Sequence, residues 1–349
     1  MRDRPDVSDE QLRVCLRADY GLSAATLDFL PLGWDTHAGV WRVADEGGTL
    51  YLLKAKEGAP NEAGCLVPRY LRDQGIEAVV APLPVLGAER WWAAMGAWTV
   101  TVYPYIEGVT GWKPPLTDAQ WRAVGAALRR MHLVAPPAAL AGLMRREAFA
   151  PGAYGRAVDA FEARHLHAEG GGPAEQALRA SWLAHRRVIH VAVASMEALA
   201  ADLRGRAAPL VVCHADLHPG NVIRDRAGAI WLIDWDDVML APKERDFIFL
   251  EGVPVASAAR QEASAFFQGY GTVEIDWPAL TYALWERLIT DVIAYAEEAC
   301  LRDDLGDETK AAAALRFESI FAAGDEAVTA LAAAAHLPPA LAGQTGEAL

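Results

Sequence analysis

Two neighbouring apolar segments, each followed by acidic side chains, decide the fold of this chain. The first, residues 211–223, reads VVCHADLHPGNVI, and the second, residues 229–237, reads AIWLIDWDD. Both apolar runs have the composition of buried strands, and residues 225–228, DRAG, have the composition of a tight turn between strands. The stretch therefore predicts a strand, a polar loop and a returning pair of strands, which together gather three oxygen-bearing side chains: Asp216, Asn221 and Asp234.

These three side chains suit one kind of chemistry. Phosphoryl transfer needs a carboxylate that orients an attacking hydroxyl and accepts its proton, and Asp216 can do this from a loop after a strand. Asn221 and Asp234 would supply oxygen ligands, which Mg²⁺ prefers while it bridges a triphosphate. A chance match and a turn-forming Asp216 are the competing interpretation. Two apolar strands in register, with Asp234 thirteen residues after Asn221, favour phosphoryl transfer.

The stretch resembles the H-x-D-L-x-x-x-N motif of the aminoglycoside phosphotransferases and the related choline, homoserine and methylthioribose kinases. Residues 241–246, APKERD, and 266–271, FFQGYG, resemble the spectinomycin phosphotransferase-like branch. The resemblance implies an α+β, bilobal protein-kinase-like fold with a sheet-rich N-lobe and a mainly helical C-lobe. It also implies catalysis by Asp216, Mg²⁺ ligation by Asn221 and Asp234, and use of ATP or GTP.

Patterns elsewhere in the chain divide it into a sheet-rich and a helical part. Apolar runs at 40–43 and 50–55 flank the turn-like residues 45–48, and a further pair is predicted at 78–84 and 98–105. From Thr117 onward the apolar residues recur at helical spacing, most clearly between 178 and 203. We expect an N-terminal nucleotide-binding lobe over 1–102, a hinge over 103–108, and a C-terminal lobe over 109–349 that carries the catalytic loop and the acceptor site.

The resemblance assigns a phosphate-binding lysine to the strand around residue 54. Lys54 follows Leu52 and Leu53, which favours a buried position over a solvent-facing one, and Lys56 on the same face is its competitor. Glu62 is the candidate partner of that lysine, with an ordinary acid at a helix start as the alternative. The apolar run that follows Glu62 contains Pro68, which we expect in a first helical turn.

Other nucleotide contacts are expected in two loops. Residues 33–39, GWDTHAG, hold two glycines without a G-x-G-x-x-G pattern, so Thr36 and His37 are candidate phosphate neighbours, with a plain hairpin tip as the alternative. Tyr103 and Tyr105 lie in the predicted hinge, where backbone groups would meet a base.

Further residues are expected around the catalytic loop and the acceptor. His214 is predicted to brace the loop by hydrogen bonding and His218 to meet solvent or substrate, since no third ligand supports a metal site for them. Asp246 resembles the buried acid that braces the loop in related enzymes. Aromatic and acidic side chains would suit a cationic or sugar-like acceptor, with core packing as the alternative for each; the candidates are Trp112, Glu251, Tyr270, Glu286 and Asp291.

The amino-acid composition limits the kinds of partner and the compartment that we expect for this chain. The chain of 349 residues has 46 acidic and 32 basic residues, a net charge of -14, which disfavours nucleic-acid binding. A cationic small molecule is the more natural partner, with solubility alone as the alternative reason for the acidic excess. Its four cysteines form no C-x-x-C pair, as expected of a reducing compartment. The first residues contain no apolar stretch and the alanine-rich run at 327–337 is too short to cross a bilayer, so a cytoplasmic monomer or homodimer without membrane contact is expected.

Three rival functions share parts of this pattern. A protein kinase would need a longer activation segment than the seven steps from Asp234 to Ala241. A binding-only pseudokinase usually lacks one of the groups that this chain retains. A metabolic choline, homoserine or sugar kinase stays open beside the main prediction. That prediction is Mg²⁺-dependent phosphorylation of a hydroxyl on an aminoglycoside, aminocyclitol or related antibiotic by a resistance enzyme.

Overall fold

The computed structural model describes residues 4–33, 37–166, 168, 170–206, 208–252, 254–322 and 325–346. The chain divides into two compact units. The first comprises Met1–Arg145, Val211–Leu240 and Gln268–Gly271, and the second comprises Arg146–Leu210, Ala241–Phe267 and Thr272–Leu349. The motif over residues 211–237 therefore belongs to the first unit. The lobe boundaries at 102 and 108 stay a prediction.

The strands form three sheets. A five-stranded antiparallel sheet has the order β1-β2-β3-β5-β4, and two three-stranded sheets have the orders β10-β9-β6 and β7-β11-β8. Within the described residues the strands are β1 (Ala24–Leu30), β2 (Ala38–Asp45), β3 (Leu50–Glu57), β4 (Ala93–Met95), β5 (Trp98–Pro104), β6 (Gly108–Thr110), β7 (Arg145–Arg146), β8 (Val211–Cys213), β9 (Val222–Asp225), β10 (Ile230–Leu232) and β11 (Met239–Ala241).

Helices dominate the chain after residue 117. Among the described residues they are α1 (Asp9–Tyr20), α2 (Glu62–Asp73), α3 (Asp118–Leu133), α4 (Ala138–Ala141), α5 (Gly152–Phe161), α6 (Pro173–Arg204), α7 (Pro254–Ala259), α8 (Ala265–Tyr270), α9 (Trp277–Cys300), α10 (Asp307–Ser319), α11 (Glu326–Ala334) and α12 (Pro339–Gly346). A π-helix covers Glu162–Leu166, and short 3₁₀ helices cover Pro219–Asn221, Lys243–Phe247, Leu250–Gly252 and Gln261–Ala263. The predicted α+β class is confirmed.

The predicted hairpin at residues 40–55 is present as β2 and β3. The two strands pair antiparallel with Val40 opposite Lys54. The turn between them closes through the carboxylate of Asp45, which accepts a hydrogen bond of 2.8 Å from the Thr49 amide, and through Gly48 at φ 82°. A positive φ favours glycine because it has no Cβ to clash with the backbone. This hairpin places Lys54 in the middle of the sheet.

The predicted strand at residues 78–84 is wrong. The segment contains Pro82 and Pro84, which have no N–H to donate to a ladder. It runs instead as an irregular chain that touches two sheets: the Leu83 amide donates to Val102 (2.7 Å) and the Val80 amide donates to Leu232 (3.0 Å). Only residues 98–104 of the predicted pair form a strand.

The N-terminal sheet has its own core. Ser8 and Gln11 form a capping box at the start of α1, with the Gln11 amide 3.2 Å from the Ser8 hydroxyl. Leu12 and Leu16 of α1 are fully buried in one cluster with Trp41 and Leu53 of the sheet. Each such leucine contributes about 1.5–3 kcal/mol by leaving water. The helix thereby covers one face of the strands that carry Lys54.

Helix α2 corrects the expectation for Pro68. The helix begins at Glu62 with Asn61 as its N-cap, so Pro68 lies in its interior and not in its first turn. An interior proline removes one helical hydrogen bond and crowds the carbonyl of the residue four positions earlier, here Gly64. Gly64 is itself confined, since an added Cβ would lie 3.1 Å from the Trp235 carbonyl oxygen.

The second unit is built on two long helices. The predicted apolar stripe between residues 178 and 203 is confirmed as the buried face of α6, which packs against α9 and α10. Helix α9 is buried along most of its length. Within the part of the chain that the structure describes, no helix is both long enough and apolar enough to cross a bilayer.

Candidate active site

The predicted catalytic loop connects β8 to β9 and is held by Asn221. The Asn221 side-chain Nδ2 donates to the Asp216 carbonyl oxygen (2.8 Å) and to its carboxylate Oδ2 (3.1 Å). Because both bonds use Nδ2, the amide oxygen Oδ1 of Asn221 is the atom available to a metal ion. Asp216 and Asn221 are five positions apart, and these two bonds close the loop between them. The bond to Oδ2 also fixes the orientation of the Asp216 carboxylate.

His214 joins the loop to the returning strand. Its side chain is fully buried, its Nε2 lies 2.9 Å from the Ile233 carbonyl oxygen, and its Nδ1 lies 3.4 Å from the Asp216 amide. The first contact requires a proton on Nε2, so Nδ1 is the acceptor. Between the two, Ala215 has φ 69°, a left-handed conformation that costs a non-glycine residue about 1–2 kcal/mol. The hydrogen bonds of His214 flank this strained residue.

The turn at residues 225–228 returns the chain so that Asp234 reaches Asn221. Asp225 accepts hydrogen bonds of 2.9 Å from the amides of Ala227 and Ala229 and from the Trp231 indole, and the indole bond is the main reason that its pKa is lowered. Beyond β10, the Ile233 amide donates to the Asn221 carbonyl oxygen at 3.0 Å. The predicted hairpin is present and brings the backbone at Asp234 next to that of Asn221, although the two residues are thirteen positions apart in sequence.

Two lysines meet the acidic end of this hairpin. Lys54 Nζ lies 2.9 Å from Asp234 Oδ1 and 3.0 Å from Asp236 Oδ2, and Lys56 Nζ lies 3.2 Å from the same Asp236 oxygen. Burial disfavours the charge of Lys54, whose side chain is 18% exposed, but Asp234 and Asp236 outweigh it and raise the Lys54 pKa. The ammonium group therefore stays charged, and both lysines named from the sequence reach one cluster.

Sequence reasoning missed the roles of Asp236 and Asp237. Burial raises the pKa of Asp236, but Lys54 and Lys56 outweigh this effect and lower it. Asn61 also donates to the Asp236 carbonyl oxygen at 2.7 Å, which ties α2 to this segment. The pKa of Asp237 is raised by desolvation and then by Asp216 and Asp236. The repeated acids in the sequence DWDD were the signal available for both.

Asp234 has an unusual backbone conformation. Its φ is 63°, in the left-handed region that a non-glycine residue adopts at a cost. Strained residues of this kind concentrate at functional sites, where the surrounding structure holds them. Here the Ile233 amide on one side and Lys54 on the other hold Asp234.

The other candidates for nucleotide contact lie at scattered positions of the first unit. Glu62 is the first residue of α2, whereas Lys54 bonds to Asp234 and Asp236, so the pairing of Glu62 with Lys54 stays a prediction. Thr36 lies outside the described residues. The exposed His37 Nδ1 is 3.7 Å from Glu57 Oε2. Tyr103 lies opposite Leu52 in the β3–β5 ladder, and the Tyr105 amide donates to the Leu50 carbonyl oxygen at 3.3 Å.

Of the acceptor candidates, Trp112 lies next to the catalytic loop. Its ring stacks on His218 with the ring centres 5.6 Å apart, and 55% of the residue is exposed. Tyr270, also in the first unit, is buried, with its hydroxyl 2.7 Å from His132 Nδ1. The acceptor role of both stays a prediction.

The remaining candidates belong to the second unit and have partners there. Glu251 accepts a hydrogen bond from the Ser257 hydroxyl (2.7 Å). Glu286 pairs with Arg245, and Asp291 with Arg287 (2.9 Å). Asp246 is buried in the 3₁₀ helix Lys243–Phe247. These contacts give Glu251, Glu286 and Asp291 partners within the second unit. Their predicted roles toward an acceptor, and that of Asp246 toward the catalytic loop, stay predictions.

The donor set of the loop suits a hard cation. The amide oxygen of Asn221, just before β9, and the carboxylate of Asp234, just after β10, are oxygen donors of the kind that Mg²⁺ binds while it keeps several waters. Lys54 adds a partly buried positive charge next to Asp234, of the kind that binds phosphate groups. The residues present therefore fit a magnesium-bound nucleotide.

Comparison with known proteins gives the family and the fold of the chain. Residues 28–282 match the model of the family described as APH, phosphotransferase enzyme family. A comparison with curated proteins returned no significant match. Among solved structures, spectinomycin phosphotransferase APH(9)-Ia in complex with ADP and spectinomycin is 27% identical, with a TM-score of 0.84, over 95% of this chain and 99% of that chain. Its AMP-bound complex is 26% identical, with a TM-score of 0.77, over 93% and 98%.

A more distant structure shares the fold alone. Amicoumacin kinase hAmiN, in complex with AMP-PNP, Ca²⁺ and Ami, is 19% identical over 90% of this chain and 93% of that chain, with a TM-score of 0.57. The predicted protein-kinase-like fold and the predicted family resemblance are thereby confirmed. Because the family match spans residues 28–282, the chain belongs to the APH phosphotransferase enzyme family and is a small-molecule kinase with an alcohol group as its acceptor.

Proposed function

We propose that this enzyme transfers the γ-phosphate of ATP or GTP to a hydroxyl group of an aminocyclitol or aminoglycoside antibiotic, with Mg²⁺, and thereby confers resistance. The observation that carries the proposal is the closed loop in which Asn221 bonds to Asp216 while Asp234 pairs with Lys54. The similarity to a spectinomycin phosphotransferase that binds ADP and spectinomycin supports both the nucleotide and the acceptor class.

Asp216 acts on the acceptor in this scheme. Its carboxylate orients the attacking hydroxyl and takes up its proton, while the hydroxyl oxygen forms a bond to the γ-phosphorus and the bond to the β-phosphate oxygen breaks. The Asn221 Nδ2 bond to Asp216 Oδ2 fixes the carboxylate before the acceptor arrives. Catalysis of this kind depends mostly on such positioning, because the phosphoryl group itself needs little covalent help.

Charged and polar side chains would hold the phosphates of the nucleotide in this scheme. Asn221 Oδ1 and the Asp234 carboxylate would hold Mg²⁺, which neutralises charge that develops on the phosphate oxygens. Lys54 would bind the phosphates through an ammonium group that two carboxylates keep protonated. Loss of Asp234 should therefore weaken nucleotide binding, whereas loss of Asp216 should leave it intact.

The charge balance around the loop favours a cationic acceptor. Four carboxylates, those of Asp216, Asp234, Asp236 and Asp237, outnumber the nearby basic groups Lys54, Lys56 and Arg145, and the whole chain carries a net charge of -14. Excess negative charge attracts amino groups, and an exposed indole such as that of Trp112 attracts both cations and the C–H faces of saturated rings. Amino-substituted cyclic alcohols combine these features.

The test is an ADP-release assay with purified protein. ATP and GTP are each offered with spectinomycin, other aminocyclitols, aminoglycosides, choline and homoserine, and the product is identified by mass spectrometry and ³¹P NMR. Asp216→Asn is the control for hydroxyl activation. We expect a phosphate monoester of an aminocyclitol or aminoglycoside in the wild type and none in the variant. Rapid turnover of choline or homoserine without any antibiotic product would replace the proposal by the metabolic alternative.

A further inference from the structure

The segment that precedes Trp112 is fixed to the catalytic loop by its backbone. The Gly111 amide donates to the carbonyl oxygens of Pro219 (2.8 Å) and Val222 (2.9 Å). Strand β6 pairs with β9, and a Cβ added at Gly108 would lie 2.3 Å from the Arg224 carbonyl oxygen. Side chains larger than glycine would push the two backbones apart. The segment thus approaches the loop as closely as the backbone allows.

The Trp112 ring is placed over the loop in the same way. A Cβ added at Gly220 would lie 2.4 Å from the Trp112 Nε1 and 2.6 Å from the His218 Cε1. Glycine at this position therefore makes room for two stacked rings, whose planes differ by 24°. One face of the indole meets His218, and more than half of the residue remains exposed to solvent.

His218 extends from this stack to the catalytic carboxylate. Its Nδ1 accepts a hydrogen bond of 2.9 Å from the Gly220 amide, so the proton of the neutral ring lies on Nε2. Nε2 in turn lies 3.6 Å from Asp216 Oδ2, and the His218 side chain is only 12% exposed. This distance is longer than a hydrogen bond. Catalytic contacts of this length commonly tighten when substrate binds.

We infer that Trp112 and His218 work as one unit: His218 is a positioning residue that directs its Nε2–H at Asp216, and Trp112 is a specificity-determining residue that holds His218 and receives the acceptor ring. The inference deepens the proposed function and rests on it. An acceptor that covers the exposed indole face would hold the stacked rings still, and with them the imidazole edge that faces Asp216. Cyclic acceptors with a C–H face, such as aminocyclitols, would gain from this contact and small linear alcohols would not.

If His218 served only to cap the 3₁₀ helix, it would need only one atom of its imidazole ring. His218 is the N-cap of the 3₁₀ helix Pro219–Asn221, and its Nδ1 alone makes the capping bond. Asparagine makes such a bond equally well through its side-chain oxygen. The part of the imidazole beyond Nδ1 contributes nothing to the cap, yet it is the part that faces Trp112 and Asp216.

This distinction supplies a matched pair of variants. His218→Asn keeps an acceptor for the Gly220 amide and removes the group that faces Asp216, while His218→Gln keeps an N–H donor at the reach of Nε2. We expect His218→Asn to lower kcat about tenfold or more with the acceptor KM within about twofold, since misplacing a catalytic group by ~1 Å can cost a hundredfold. We expect His218→Gln to recover part of this loss.

Trp112 is tested through its coupling to His218. Trp112→Ala should raise the acceptor KM and lower kcat, Trp112→Phe should keep most of both, and the Trp112→Ala/His218→Asn double variant should lose far less than the product of the two single losses. Strictly multiplicative losses would overturn the coupled unit. A His218→Asn variant with wild-type kcat would overturn the positioning role.

Two controls separate this inference from the proposed function. Asp216→Asn is assayed in parallel: if it is inactive while His218→Asn is fully active, only the inference fails, and if both are active, the role of Asp216 in the proposed function fails. The second control needs no acceptor. Nitrogen-15 NMR of labelled wild-type protein should show His218 protonated on Nε2, with signals that move in Trp112→Ala, and a proton on Nδ1 would overturn the inference in any variant background.

Discussion

Replacement of Lys54 by methionine tests the charge cluster at the acidic end of the hairpin. The change removes contacts of 2.9 Å to Asp234 and 3.0 Å to Asp236 and leaves Lys56 at 3.2 Å from Asp236. Exposed ion pairs contribute about 0.2–1 kcal/mol, whereas breaking a buried pair costs about 3–5 kcal/mol. The side chains of Lys54, Asp234 and Asp236 are 18%, 44% and 29% exposed, which lies between these limits.

We therefore expect Lys54→Met to lower the opening free energy of the cluster by about 1–2 kcal/mol at pH 7.5, after allowance for solvent screening at Asp234. Hydrogen exchange of peptides covering β3 and residues 229–238 measures this opening locally. Their amides should exchange about 5–30 times faster than in the wild type at the same pH. Lys310→Met, on α10 of the second unit, is the control and should leave these peptides unchanged.

The pH dependence of this effect has a defined sign. The lysines hold the pKa of Asp236 below its usual value against the opposing effect of burial, so its stabilising contribution is present above the pKa of about 3.9 of an unfolded aspartate. That contribution is lost as the pH falls through the lowered value in the folded chain. The difference between variant and wild type should shrink below about pH 3.9. An exchange rate that is unchanged at pH 7.5, or a difference that grows on acidification, would refute the reasoning.

Three further changes have defined outcomes. Asp234→Asn should raise the Mg²⁺ concentration for half-maximal activity about tenfold or more, measured by Mg²⁺ titration of ADP release, and an unchanged requirement would contradict metal binding by Asp234. Gly220→Ala should displace the rings of Trp112 and His218, because its Cβ would lie 2.4 Å from the indole nitrogen, and should raise the acceptor KM about tenfold while nucleotide affinity stays constant. Glu162→Gln should speed hydrogen exchange in the π-helix Glu162–Leu166 at pH 7, but little near pH 2, because hydrogen bonds from Arg186, Trp182 and His190 outweigh burial and lower the Glu162 pKa to about 2.

The loop and hairpin over residues 211–237 could be predicted because their determinants are local. Asp216, Asn221 and the turn at 225–228 lie within thirteen residues. Over so short a stretch, residue composition alone predicts where the strands, the loop and the turn lie. The capping boxes of α1 and α3 were predictable for the same reason, as each joins residues three positions apart.

Contacts between distant parts of the chain could not be predicted in this way. The bond from Lys54 to Asp236 joins residues 182 positions apart, and the amide of Asn61 reaches Asp236 across 175 positions. Nothing in the local sequence around Asp236 distinguishes a lysine partner from water. The segment at 78–84 was predicted wrongly although its determinants are local. Its apolar run suggested a strand, but its two prolines have no N–H groups to donate to a neighbouring strand.

Ala215 and Asp234, the two site residues with a left-handed backbone conformation, make the site depend on the turn at 225–228, which lies outside it. Each conformation persists because hydrogen bonds along the hairpin hold it, and these bonds require that β9 and β10 stay in register. The Asp225 carboxylate keeps that register by closing the turn at 225–228. In a random mutagenesis screen for loss of phosphotransferase activity, Asp225 and Gly228 should therefore emerge as inactivating positions in folded, abundant protein, although neither residue belongs to the proposed reaction.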